Sequence, residues 1–157
     1  MKKLTHIDGK GDVRMVNVTA KKNTLRQARA RGIIQMDSHT IELIDQGQMA
    51  KGNVLTTAKI AGIMAAKKTA DLIPLCHPLE LTSIDLTFSL DYEKSRIIIE
   101  SLAQTTGKTG VEMEALTAVS AAALTVYDMC KAVNKRMVIE EIVLLEKSGG
   151  QSGHFVR

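Results

Sequence analysis

The sequence predicts an α+β fold, a ferredoxin-like sandwich in which helices pack on one face of an antiparallel sheet. Three features point that way. Residues 81–90, LTSIDLTFSL, alternate apolar and polar side chains, and after a turn over 91–95 residues 97–104, IIIESLAQ, return as the second arm of a hairpin. Two long apolar segments, 54–73 and 111–134, carry helical character. The resulting order of strand, helix, strand, strand, helix, strand is that of the split βαβ sandwich.

In chain order, DGKGD at 8–12 is a turn, and residues 13–18 alternate as a strand placed at a sheet edge. Residues 28–36 form the next strand. Ser38 caps a short helix through residue 44 that stops at Gly47, and Asn53 caps a second helix from 54 to about 73, where Pro74 ends it. Beyond the hairpin, the Gly107-Lys108-Thr109-Gly110 turn leads into an alanine-rich helix, and residues 137–146 form the final strand. The only prolines, Pro74 and Pro78, lie in one loop, and no repeat or low-complexity linker divides the chain. Residues 1–157 therefore read as one domain.

A chain of 157 residues with 45% hydrophobic content can bury an ordinary core. Only 3% of residues are aromatic and Trp is absent, so that core must come from aliphatic side chains and the eight Met, which allow close packing between helices or subunits. The net charge of +4 favours anionic partners. Because Lys and Arg are dispersed and few rings are available for base stacking, an anionic small molecule fits better than nucleic acid. Cys76 and Cys130 are far apart and lack CxxC spacing, which signals free thiols rather than a disulfide or a zinc site. No apolar run is long enough to cross a membrane, and the lysines at the N-terminus lead into polar residues, so the expectation is a cytoplasmic protein.

Several segments could carry chemistry. Asp128 and Lys131, three residues apart, share a helix face at the end of a helix that is apolar nearly all round, AVSAAALTVYDMC. A surface ion pair and a half-buried lysine with a lowered pKa, fit for proton transfer, are both open readings. His77 stands between Pro74 and Pro78 in LIPLCHPL. It reads either as a satisfied core histidine or as part of a binding loop whose prolines fix the Cys76 and His77 groups, with apolar neighbours flooring a pocket for a flat heterocycle. QTTGKT at 104–109 imitates a phosphate loop, but GxxxxGK[ST] requires glycine where Leu102 stands. Glu112 and Glu114 follow at once and suit a helix N-terminus better than they suit phosphate. Lys51-Gly52-Asn53, Lys67-Lys68 and the Lys147–Gly153 segment offer further cations, the last as a loop of donors able to wrap phosphate or as a frayed tail.

LTHID, KGNVL, KIAGIMAAKKTADLIPLCHPL, TGKTGVEMEALTAVSAAALTVYDMCKAV and KSGG together resemble the cyclic pyranopterin monophosphate synthase family, the molybdenum cofactor biosynthesis protein C family, over nearly the whole chain. The resemblance implies a lyase that converts 3′,8-cyclo-7,8-dihydro-GTP into cyclic pyranopterin monophosphate and pyrophosphate. It implies a homohexamer, a trimer of dimers with active sites at dimer interfaces. By motif match, Asp128 is the catalytic carboxylate and Lys51 and Lys131 the catalytic lysines. Leu75, Cys76, His77, Met113 and Glu114 contact substrate, and Glu112 and Arg26 are further pocket residues. No redox cofactor and no dedicated metal site are implied, though Mg2+ could accompany the triphosphate. Asn17 and Asn53 stand where the family usually shows Asp, and at 53 the change removes a charge that would favour protonated Lys51.

The alternative is a non-catalytic hexamer that binds a pterin or nucleotide. Helix geometry adds one expectation: Glu114 and Asp128 are fourteen residues apart, roughly 21 Å along a helix axis, so one helix cannot bring both to the same atoms. A second subunit should then contribute, with Lys51 and Asp128 of a given site on different chains.

Overall fold

The computed structural model describes residues 10–151 and 153–157. LTHID, the first two residues of the DGKGD turn and Ser152 lie outside them. The described elements are β1 (Thr24–Gln35), α1 (Ser38–Asp45), α2 (Val54–Ala66), α3 (Thr69–Leu72), β2 (Ser83–Asp91), β3 (Arg96–Gly107), α4 (Glu112–Cys130), β4 (Val138–Ser148) and β5 (Phe155–Val156). The sheet runs β2-β3-β1-β4-β5, and every pairing is antiparallel. β3 is inserted between β1 and β2, which is the split βαβ arrangement expected from the element order.

Several boundaries differ from the sequence expectation, each for a local reason. Residues 13–18 make only a single bridge at Val13 and otherwise run as irregular chain. Asn17 Oδ1 accepts from the Thr19 amide at 2.9 Å, an Asx turn that diverts the chain from strand geometry. β1 begins at Thr24 rather than 28 because Arg26 points inward and finds backbone acceptors, a buried charge that hydrophobic alternation does not reveal. The cap of α1 is Asp37, not Ser38: its Oδ1 accepts from the Thr40 amide at 2.7 Å. The helix expected to reach residue 73 breaks at Lys67-Lys68, where the buried Thr69 hydroxyl donates to the Ala66 carbonyl and satisfies the last turn. α4 ends at Cys130, earlier than expected, and β5 lay beyond the expected elements.

The core lies between the sheet and the helices. α4 presents Ala115, Ala118, Val119, Ala122, Ala123 and Val126 at helical spacing, all fully buried. α2 buries Val54, Ala58, Gly62 and Ala66, one per turn, against α4. These small residues let the two backbones approach closely. A Cβ added at Gly62 would stand 2.9 Å from the Ala118 carbonyl oxygen and 2.6 Å from a Leu86 methyl. The opposite sheet face is wet and carries cross-strand ion pairs, Arg29–Glu100 at 2.9 Å and Arg31–Glu141 at 2.7 Å.

Gly62→Ala tests this packing. Alanine gains about 1 kcal/mol in helix propensity, but the Leu86 side chain can yield whereas the Ala118 carbonyl moves only with its helix. The expected outcome is a net loss of about 1–2 kcal/mol in urea unfolding.

Candidate active site

The loop before β2 is shaped by its prolines. The Cys76 amide donates to the Ile73 carbonyl at 3.1 Å, closing a turn with Pro74 at its second position. This fixes Leu75, Cys76, His77 and Leu79 along one wall of a cavity of about 600 Å³. Met113 and Glu114 from the first turn of α4 form its floor, and Val16, Val18 and Lys21 close the other side. His77 Nε2 lies 2.7 Å from the Val16 carbonyl oxygen. A carbonyl only accepts, so Nε2 carries the proton.

Glu114 is 4% exposed. Burial, reinforced by the neighbouring Glu112 carboxylate, pushes its pKa up to about 7, although a helix N-terminus ordinarily favours the charged form. Its carboxyl therefore takes and gives a proton near neutrality. Burial, with a contribution from Glu114, also raises the Cys76 thiol, which stays protonated and is a poor nucleophile. Glu112 is instead held by Lys147, with 3.2 Å between their charged atoms.

A second hollow of about 530 Å³ adjoins the first and shares Lys21, Thr109, Gly110 and Glu112 with it. It adds Arg26, Lys108 and Lys147, so this half is cationic. Arg26, 8% exposed, donates from Nε to the Gly107 carbonyl and from Nη2 to the Lys108 carbonyl, each at 3.3 Å. Gly149 and Gly150, at φ +95° and +74°, wrap this guanidinium. A side chain at Gly150 would collide with it and one at Gly149 with the Leu25 carbonyl, so KSGG needs both glycines.

The remaining expected residues gather at the other end of α4. Lys51 Nζ donates to Asp128 Oδ2 at 2.8 Å and to the Asp128 carbonyl at 2.9 Å, and Lys131 Nζ lies 2.8 Å from Oδ1. The two ammonium groups, Lys131 first, hold Asp128 down to about 2. Of the two readings open for Asp128 and Lys131, the structure shows the exposed ion pair. Asp128 and Lys131 are exposed rather than half-buried, because α4 buries one stripe and leaves the other open. The Lys131 pKa is raised by its bond to Asp128, not lowered by burial, so this lysine stands as a fixed positive charge. Lys51 and Asp128 also meet within one chain, so they need no subunit boundary between them. Asn53 spends its side chain on the α2 cap, accepting from the Thr56 amide at 2.9 Å.

Leu75, Cys76, His77, Met113, Glu114 and Glu112 are thus brought together, with Arg26 beside them. Lys51, Asp128 and Lys131 form a separate cluster at the other end of the helix, roughly 21 Å away along its axis. Sequence reasoning missed Lys21, which reaches both hollows from the segment expected to be a strand and the residues after it. A lone Lys-Lys pair gave no signal for it. Among the described residues no group of three or more His, Cys, Asp or Glu could hold a metal, and no helix is long and apolar enough to cross a membrane.

A ferredoxin-like sandwich with an apolar cleft, one protonatable carboxyl and a cationic annex has the make-up of a small-molecule enzyme acting on an anionic heterocycle. Comparison with known proteins narrows the class. Residues 15–150 match the MoaC family. The chain is 60% identical over 157 residues to the cyclic pyranopterin monophosphate synthase of Heliobacterium modesticaldum, covering all of this chain and 99% of that protein. It is 58% identical to proteins of the same name from Desulfitobacterium hafniense, over 98% of this chain and 94% of the relative, and from Pelotomaculum thermopropionicum, over 100% and 92%. The chain belongs to the MoaC family.

Glu114 generates a pH prediction. Its folded pKa of about 7 lies above the ordinary 4.5, so between those values the folded state binds more protons and stability falls as pH rises. Glu114→Gln removes this loss. Relative to the parent, the variant should gain stability between pH 4.5 and pH 8, by an amount on the order of 3 kcal/mol at most, in urea unfolding. A constant difference across that range would show that Glu114 titrates normally.

Proposed function

We propose that this chain converts 3′,8-cyclo-7,8-dihydro-GTP into cyclic pyranopterin monophosphate and pyrophosphate, a step of molybdenum cofactor biosynthesis. The observation that carries the reading is α4 itself. It bears at one end a buried carboxyl that exchanges protons near neutrality and at the other a carboxylate held between two ammonium groups. Ring hydrolysis and rearrangement call for several proton transfers, and closure of the cyclic phosphate breaks the bond to a departing pyrophosphate. Asp128 keeps Lys131 protonated, so that the lysine offsets the leaving group's charge. Leu75, Cys76, Met113 and Glu114 receive the heterocycle, with His77 in the wall of the same pocket and Glu112 and Arg26 bordering the cationic annex. The scheme uses no redox cofactor, and any Mg2+ enters with the triphosphate.

The two ends of α4 are too far apart to serve one substrate atom. The reading therefore includes a second subunit, in which the Lys51–Asp128–Lys131 cluster of one chain faces the Glu114 pocket of its neighbour, within the homohexamer, a trimer of dimers, that the family resemblance implies. Incubating the protein with the cyclised dihydro-GTP should yield pyranopterin and pyrophosphate together, and absence of both under substrate excess would refute the assignment.

Lys131→Ala should fold and assemble like the parent, since an exposed side chain leaves no cavity, while losing about 100-fold or more in turnover. Mixed oligomers sharpen the picture. Asp128→Ala and Glu114→Ala subunits, each inactive alone, should regain activity when co-assembled, because some interfaces then pair two intact halves. Lys51→Ala with Asp128→Ala should stay inactive, because both changes disable the same cluster.

A further inference from the structure

Residues 13–21 cross the mouth of the cavity as an irregular strap. Little apolar burial holds it: Val13 and Met15 are 70% and 49% exposed, and within the strap only Val16 and Val18 are half-buried. Two side chains from the body of the site tie it down. His77, stiffened by its flanking prolines, donates to the Val16 carbonyl at 2.7 Å, and Lys108 Nζ donates to the Thr19 carbonyl at 2.8 Å. Between and beyond these ties the chain folds on itself. Thr19 bonds back to Asn17, and the Lys21 amide donates to the Val18 carbonyl at 3.0 Å. The strap ends at Lys21, which borders the apolar cavity, the cationic annex and a third hollow lined by Lys22 and Arg26.

We propose that His77 is a positioning residue: with Lys108 it latches the strap over the cavity and so delivers Lys21 to the junction between the heterocycle pocket and the cationic annex. The inference rests on the activity proposed above and adds to it a role for a side chain that faces the substrate pocket but spends its donor on backbone. The imidazole acts through Lys21, and the ammonium of Lys21 meets the anionic part of the substrate. Lys108 performs the same task from the turn before α4.

The experiment uses the intact assembly. Tryptic nicking at Arg14, Lys21 and Lys22 reports the strap, and steady-state kinetics with the cyclised dihydro-GTP report its consequence. His77→Phe removes the donor, whereas His77→Gln keeps an N–H at nearly the same reach but cannot shuttle protons. His77→Phe should nick roughly tenfold faster and raise KM by a similar factor with little change in kcat, and His77→Gln should stay within about twofold of the parent in all three. Lys21→Met should raise KM to the same extent, and the double variant with His77→Phe should be no worse than either single one. Lys108→Met, which leaves the proline loop untouched, should also open the strap and raise KM, and keeps the test decisive if His77→Phe does not fold. The proposal is overturned if His77→Gln loses kcat as fully as His77→Phe with unchanged nicking, which would put the imidazole on the substrate itself. Additive effects of the Lys21 and His77 changes would overturn it as well. If the parent fails to turn over this substrate, the activity proposal falls, and the nicking rates of His77→Phe, His77→Gln and Lys108→Met still decide whether the latch exists.

Discussion

The close seat of α4 against α2 and the sheet governs the placement of nearly every functional group. Gly62 admits the Ala118 carbonyl, and Gly32 in β1 admits Val119, whose Cβ would lie 3.4 Å from a Cβ at that glycine. Small residues on both sides of α4 leave it little freedom to slide. α2 begins beside the C-terminal end of α4, where Lys51 meets Asp128, and finishes beside its N-terminal end, where Ala66 and Lys67 share a small hollow with Glu114. Locking two antiparallel helices thus positions a charged cluster at one end and the proline loop at the other. A shift of one helical turn, about 5.4 Å, would dissolve both.

The same helix separates two carboxylates by chemistry as well as by distance. Asp128 projects from the open stripe, meets two ammonium groups and is held near 2. Glu114 projects from the buried stripe, where burial and the neighbouring Glu112 carboxylate raise it to about 7. At neutral pH one is a fixed anion that keeps Lys131 charged and the other is a proton carrier. This division follows from helical phase: residue 114 falls beside Ala115 and Ala118 in the packed stripe, while residue 128 falls on the same exposed side as Leu124, one turn earlier.

What could be read in the sequence was what periodicity and backbone chemistry control. The hairpin, the alanine-rich helix and the order of elements follow from alternation, helical spacing and turn residues, and they suffice for the ferredoxin-like topology. Local pattern marked residues 75–77, in a proline-bounded loop, and 112–114, at a helix N-terminus, as separate candidates; that they line one cavity was implied only by the family resemblance. Long-range bonds were not legible. The tie from His77 to Val16 spans 61 positions and that from Lys108 to Thr19 spans 89, and neither leaves a mark on local pattern. The segment over 13–18 alternates like a strand yet pairs only through a single bridge at Val13, because an Asx turn and two side-chain donors hold it elsewhere. Burial of single polar groups was equally hidden: Arg26 inside β1 and the exposure of Lys131 depend on which stripe packs, and an apolar count over AVSAAALTVYDMC does not resolve that.

Leu124 bears on how the two halves of the site come to act together. It is among the most exposed large apolar residues of the helices and lies one turn before Asp128 and two before Lys131. α2 adds Ile60 and Met64, one turn apart and both more than half exposed. An apolar rim next to a charged cluster suits coverage by a second copy of the chain, which would shield the ion pairs from water and strengthen them. That coverage is also what the catalytic reading needs. In a single chain the Lys51–Asp128–Lys131 cluster is wet and far from Glu114. On the proposed reading, a neighbour's pocket placed over it would close the distance that α4 imposes, which ties the length of one helix to a shared interface.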